Sequence, residues 1–302
     1  MPDFSDWREE YLAKRQLLVA DGGDYITKLE QDFMQAIVKA VLKVAPEIER
    51  EFRAAPDYLP FWLNYAPRQR GRAPVGDAVP WGEVGEKLIL ATLAEGVAQQ
   101  YPGVRYPALP FGGDFRFATD QVLLHLDVKM TGPRDNPDEV VASPNQVSGD
   151  GYDWNEKGVL NHQEQITGPR ATRMFQPELP PLYFSYINKD SLQVCLTYFI
   201  KAVYSVSGYG DQPLDSMEVV CVPNGLLMFD GPRYRTTAGL LIPGKDELTH
   251  AHPRTRIRLQ PLADLHQWRC VKLQRDATGQ WYARERPVTR MPSVAQPPLL
   301  EQ

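Results

Sequence analysis

LHLDVK, residues 124–129, decides how this chain folds: it is an apolar, strand-forming run that carries an Asp and a Lys. Along a strand, successive side chains alternate between faces. Leu126 and Val128 therefore project one way, and Asp127 and Lys129 project together the other way. Burying either charge costs several kcal/mol unless it gains a partner or coordinates something. One face must pack into a core, while the other either lines a site or forms an ion-paired surface.

The surrounding sequence extends this strand into an α/β pattern. In "DFRFATDQVLLHLDVKM" two strands, 115–117 and 122–130, flank a turn at Thr119 and Asp120. Upstream, Ile26, Leu29, Phe33, Ile37, Val41 and Val44 recur at three- and four-residue intervals, which predicts an amphipathic helix over 24–44 that stops at Pro46. A second helix begins near Pro80 and runs through "WGEVGEKLILATLAEGVAQQ". Downstream, 131–158 reads as one long polar loop punctuated by Gly and Pro. Further strands are expected at "LYFSYI", "LQVCLTYFIKAVYSV", "MEVVCVPNGLLMF" and "RTRIRLQPL", with a hairpin around "DATGQW". Two early helices and a mixed sheet in this order predict one α/β domain over 1–302.

Bulk properties narrow the function. The chain has 302 residues, is 43% hydrophobic and carries a net charge of −5, so it has the composition of a globular protein with no general affinity for polyanions. It shows no long apolar run and a charged N-terminal stretch, "MPDFSDWREEYLAKRQ", so neither a membrane span nor a secretory leader is expected, and a cytoplasmic location follows. Cys195, Cys221 and Cys270 lack CxxC spacing and are expected to be buried, reduced thiols. Basic residues gather after Pro243: Lys245, Arg254, Arg256, Arg258, Arg269, Lys272 and Arg275. Alone, such a run is a solvated face.

Chemistry enters with Asp114, at the entry to the strand before Asp127 in "GGDFRF". Two carboxylates brought together by a hairpin repel unless a cation lies between them, and oxygen donors of this kind suit Mg²⁺. A lysine beside them can stabilise charge developing on a phosphate.

Asp114 followed by Asp127-Val128-Lys129 resembles the PD-(D/E)xK nuclease core, with Gly113 in place of the usual proline. More specifically, "FWLNY", "PWGEVGEK", "LDVKMTGPRD", "SPNQVSGDG", "QITGPR", "PPLY", "VPNGL" and "PGKD" resemble, in order, type II restriction endonucleases of the BglI type. The resemblance implies a restriction-endonuclease-like α/β core with a mixed central sheet flanked by helices, an α/β/α sandwich. Its catalytic core would occupy about 80–205, and DNA-recognition and C-terminal β elements about 206–290.

The same resemblance implies roles. Asp114 and Asp127 are the metal-binding carboxylates, Val128 lends its backbone carbonyl, Lys129 is the catalytic lysine and Glu86 the additional acid. Asp120 is the alternative to Asp114, and Glu83 the alternative to Glu86. Asp135, Lys245, Glu247, Arg256 and Arg258 match base-reading positions. Cations there would read guanine O6 and N7, and the acids the cytosine amino group. Arg256 and Arg258, two apart, share one strand face. Asn145 and Gln146 are further candidates for phosphate and base edges, whereas His125 and Trp154 are assigned to packing.

The implied activity is Mg²⁺-dependent cleavage of both strands of duplex DNA at an interrupted palindrome with GCC/GGC-like half-sites. One or two Mg²⁺ ions serve each site; Mn²⁺ is a substitute, and Ca²⁺ binds without supporting cleavage. A twofold target implies a homodimer, and a cognate DNA methyltransferase is the expected genetic partner. The alternatives are a PD-(D/E)xK nuclease without site specificity and a catalytically silent DNA-binding module.

Overall fold

A computed structural model describes residues 4–54, 57, 81–100, 104–105, 115–149, 164–169, 171–184, 192–207, 211–230, 239–244 and 254–289. Helices α1 (Phe4–Ala20), α2 (Asp24–Arg53) and α3 (Trp81–Gln100) precede a seven-stranded sheet. Its main path runs β1 (Phe115–Ala118), β2 (Val122–Thr131), β7 (Leu192–Tyr204), β8 (Leu214–Val222), β11 (Cys270–Arg275) and β12 (Trp281–Glu285), and β6 (Leu182–Phe184) pairs with β7. Only β2 and β7 run parallel in this sheet, among the described residues; its other pairings are antiparallel.

The alternation expected at residues 124–129 divides the molecule into two cores. Leu124, Leu126 and Val128 pack with Leu196, Tyr198 and Ile200 of β7 against Ile37, Val41, Val44 and Ile48 of α2 and Ile89 and Leu93 of α3. On the other face Phe199, Val220 and Cys270 pack against β3 (Glu139–Ala142), β10 (Thr255–Arg258) and α4 (Leu259–Leu265). β3, β10 and β9 (Leu241–Pro243) form a separate three-stranded sheet, and β4 (Glu164–Thr167) and β5 (Thr172–Phe175) a two-stranded one. The three cysteines are buried and unpaired, as expected. No helix among the described residues is long and apolar enough to cross a membrane.

Several expectations need correction: a helix, α1, precedes the two that were expected, and the strands expected at "MEVVCVPNGLLMF" and "RTRIRLQPL" end at Val222 and Arg258, with helical turns at Leu226–Asp230 and Leu259–Leu265. α2 does not stop at Pro46 but continues to Arg53 with the proline inside it. An interior proline costs about 3 kcal/mol or more. The turns after it repay that cost: Ile48 and Phe52 are buried, and Glu49 accepts from Arg275 Nη1 at 2.7 Å and Trp281 Nε1 at 2.8 Å. The supposed loop 131–158 also contains β3 and a 3-10 turn, Pro144–Gln146. The sequence "EVVA" is too short to stand out between polar neighbours, and it is a strand because Val140 and Ala142 pair with Ile257 and Thr255.

A buried ion pair ties the N-terminal helices to the last strands. Arg269 Nη2 lies 2.5 Å from Glu30 Oε2, both side chains fully buried, and Asn224 N donates to Glu30 Oε1 at 2.6 Å. Burial raises the Glu30 carboxyl above its usual range, despite the opposing guanidinium. Arg275 is likewise held by Glu49 at 2.7 Å. Two cations of the basic run after Pro243 are thus structural.

Candidate active site

β2 carries its two charged residues to the margin of the second core. Lys129 Nζ lies 2.5 Å from Asp127 Oδ2, with side-chain exposures of 25% and 10%. The pair is therefore neither a solvated edge pair nor sealed away. Its floor is Phe199, which is the parallel Cα partner of Asp127 and whose ring centroid lies 5.6 Å from Lys129 Nζ. An aromatic face under an ammonium is worth about 0.5–1 kcal/mol and helps hold it in place.

The 3-10 turn supplies a second partner. Gln146 Nε2 donates to Asp127 Oδ2 at 2.9 Å, and the Gln146 side chain is buried. Gln146 Oε1 accepts from Ser143 N at 2.9 Å, and Arg116 Nη2 reaches Asn145 O at 3.5 Å. Sequence reading offered Gln146 to phosphate or base edges; instead its amide supports the DxK aspartate. Only the Ser-x-x-Gln capping pattern hinted at a fixed side chain.

The acids expected beside Asp127 are placed unequally. Asp114 lies outside the described residues. The β1–β2 ladder begins with Phe115 opposite Leu126. Asp120 is exposed in the turn at the far end of β2, about 20 Å along the strand from Asp127, so it is not a companion acid. Glu86 is half-buried on α3, and the neighbouring Gly85 abuts Met130 of β2 and Phe52 of α2 so closely that a Cβ would meet Met130 at 2.9 Å. α3 is thus docked on β2 immediately beyond Lys129. The side chain of Glu83 lies outside the described residues, as do Lys245, Glu247 and Trp154. Among the described residues no three His, Cys, Asp or Glu side chains cluster as a metal site.

The base-reading candidates among the described residues, Asp135, Arg256 and Arg258, fall on the β3–β10–β9 sheet and the loop leading to it. Arg256 and Arg258 do share one face of β10, opposite the buried Thr255 and Ile257. Arg256 Nη1 pairs with Glu139 Oε2 at 2.7 Å, while Arg258 is exposed. Asp135 is exposed, and its Oδ2 accepts from Gly132 N at 2.9 Å, closing the turn after β2.

Below this loop lies a fully buried lysine that sequence reading passed over. Lys201, the β7 partner of Lys129, directs Nζ at the carbonyls of Asn136, Pro137 and Glu139. Burial lowers its ammonium to about 8, against the pull of Glu218. An apolar-looking strand thus carries the post that holds the 136–139 segment onto the sheet.

This arrangement has known counterparts. A family model described as Restriction endonuclease BglI matches residues 6–273. The type II restriction enzyme BglI of Bacillus subtilis is 34% identical over 262 residues, covering 79% of this chain and 87% of that enzyme. The crystal structure of restriction endonuclease BglI bound to its DNA recognition sequence superposes with a TM-score of 0.77 at 32% identity, covering 88% of this chain and 97% of that one. Tetrameric restriction endonuclease SfiI bound to cognate DNA shares the fold, with a TM-score of 0.56 at 16% identity over 88% of this chain and 95% of that one. A match across most of the chain, including the strand that carries the Asp-x-Lys pair, places the protein: it belongs to the BglI family of type II restriction endonucleases.

Proposed function

We propose that this type II site-specific deoxyribonuclease uses Mg²⁺ to cut both strands of duplex DNA at an interrupted palindrome with GCC/GGC-like half-sites, acting as a homodimer. The observation that carries the reading is the Asp127–Lys129 pair, held at the margin of the core on one strand face. Its donor set suits the ion. Lys129 and Gln146 both converge on Oδ2 of Asp127, which leaves Oδ1 for a cation, and the Val128 carbonyl is a second hard oxygen donor. Asp114, which precedes Phe115 in the sequence, is assigned as the second carboxylate by the resemblance of its "GGDFRF" setting to the nuclease core. Glu86, next to the Gly85 that packs α3 on Met130, is assigned as the additional acid.

When bound, Mg²⁺ supplies Lewis-acid stabilisation of charge on the scissile phosphate. The protein's own groups do the rest. Asp127, with Asp114 and Glu86, fixes the position at which the phosphate is met. Lys129 turns its ammonium from Asp127 toward the phosphate and offsets the negative charge that develops there. Asp135, Lys245, Glu247, Arg256 and Arg258 read the half-site, and a twofold target calls for a second subunit. A methyltransferase of the same specificity would protect the host's own DNA.

Incubation of the protein with plasmid and Mg²⁺ tests this reading. Discrete fragments are expected, and Asp127→Ala should abolish them while duplex binding persists. A smear would leave a nuclease without site specificity. Binding without cleavage in either Mg²⁺ or Mn²⁺ would leave a silent DNA-binding module.

A further inference from the structure

Gln146 has both ends of its amide committed. Nε2 donates to Asp127 Oδ2 at 2.9 Å and Oε1 accepts from Ser143 N at 2.9 Å. Rotating the amide by half a turn would set its oxygen against a carboxylate and its NH₂ against an N–H, so only one orientation satisfies both ends. The turn beneath is itself held: Val147 N donates to Pro144 O at 3.3 Å, Glu178 N to the same oxygen at 2.9 Å, and Arg116 reaches Asn145 O.

The position of this turn gives the contact a further meaning. Ser143 follows Ala142, the last residue of β3, which pairs with Thr255 of β10; the next residue is Arg256, whose Cα partner is Val141. A short path thus runs from the Asp127 carboxylate through the Gln146 side chain and the Ser143 amide to the sheet that carries Arg256. Lys129 shares Oδ2 with Gln146. When Lys129 turns toward a phosphate, the amide donor is what keeps the carboxylate aimed.

We propose that Gln146 is the positioning residue for Asp127 and ties the aim of that carboxylate to the β3–β10 sheet. The inference rests on the nuclease reading above. A donor behind a ligating carboxylate typically sets metal affinity or activity by about 10–100-fold.

The test uses the full chain with Gln146→Met, which keeps the length and removes both polar ends. Melting is followed across an Mn²⁺ titration without DNA, and cleavage across an Mg²⁺ titration. The half-saturating concentration should rise by about 10-fold or more in both, with a smaller loss of rate at saturating metal. A purely structural role would lower the melting temperature in chelator and reduce the amplitude of cleavage, leaving both half-saturating concentrations at the wild-type value; that result overturns the inference. If the Met variant fails to fold by circular dichroism, Gln146→Glu keeps the acceptor for Ser143 and replaces the donor facing Asp127. A half-saturating Mn²⁺ concentration within a few-fold of wild type would then overturn it, and a departure of about 10-fold or more would support it. A wild-type protein that neither responds to Mn²⁺ nor cuts DNA overturns the nuclease reading itself, and the inference with it.

Discussion

Replacing Lys201 with Met should flatten the alkaline limb of the stability profile. Lys201 is fully buried on β7, and burial lowers its ammonium from the ordinary 10.5 to about 8, with Glu218, Asp138 and Asp135 pulling upward and Arg286 downward. Below pH 8 the side chain is charged in both the folded and unfolded chain, and the folded state carries the whole cost of burying it. Between about 8 and 10.5 the folded lysine has released its proton while the unfolded one keeps it, so stability rises with pH over that window. The gap is equivalent to about 3 kcal/mol. Met keeps the apolar stem and has nothing to titrate. Urea unfolding followed by tryptophan fluorescence, at several pH values across the window, should therefore show wild type gaining on Lys201→Met by about 3 kcal/mol. Ionisations common to both proteins cancel in the difference. A stability difference that stays constant to within about 0.5 kcal/mol from end to end would refute the assignment of this cost to Lys201.

Glu30→Ala should destabilise the fold by about 3–5 kcal/mol, because it leaves the Arg269 guanidinium buried without its carboxylate; a loss below about 1 kcal/mol in denaturant unfolding would mean that the pair contributes no more than a surface one. Arg256→Ala, made in an Asp127→Ala background so that DNA survives, should weaken binding to the target by about 1–3 kcal/mol and relax the requirement at one base pair. Equal loss on random duplex, with a shallower salt dependence, would make Arg256 a phosphate contact instead.

The parts of this molecule that sequence made legible are those in which one local rule agrees with the final packing. Asp127 and Lys129 stand side by side because alternation along β2 is set by the backbone alone, and the apolar Leu126 and Val128 that alternate with them pack with α2 and α3. Arg256 and Arg258 share a face for the same reason. Where distant contacts decide, the local rule misleads. Pro46 reads as a helix stop, yet Glu49, Ile48 and Phe52 are anchored by partners that local sequence does not display. Arg269 reads as part of a basic, solvated run, but the carboxylate it pairs with in the core lies 239 positions away. Gln146 reads as one polar loop residue among several, and only the return of the turn to β2 brings its amide to Asp127.

The clamps on α2 also bear on when the nuclease can exist during its own synthesis. Glu30 and Glu49 find their partners in Arg269, Arg275 and Trp281, which leave the ribosome more than two hundred residues later. A chain is made N-terminus first, at about 5–20 residues per second, so for at least about 7 seconds after Lys129 is made Glu30 and Glu49 still lack these partners. A nascent chain that already contains Asp127 and Lys129 therefore still lacks the partners that fix α2 behind β2.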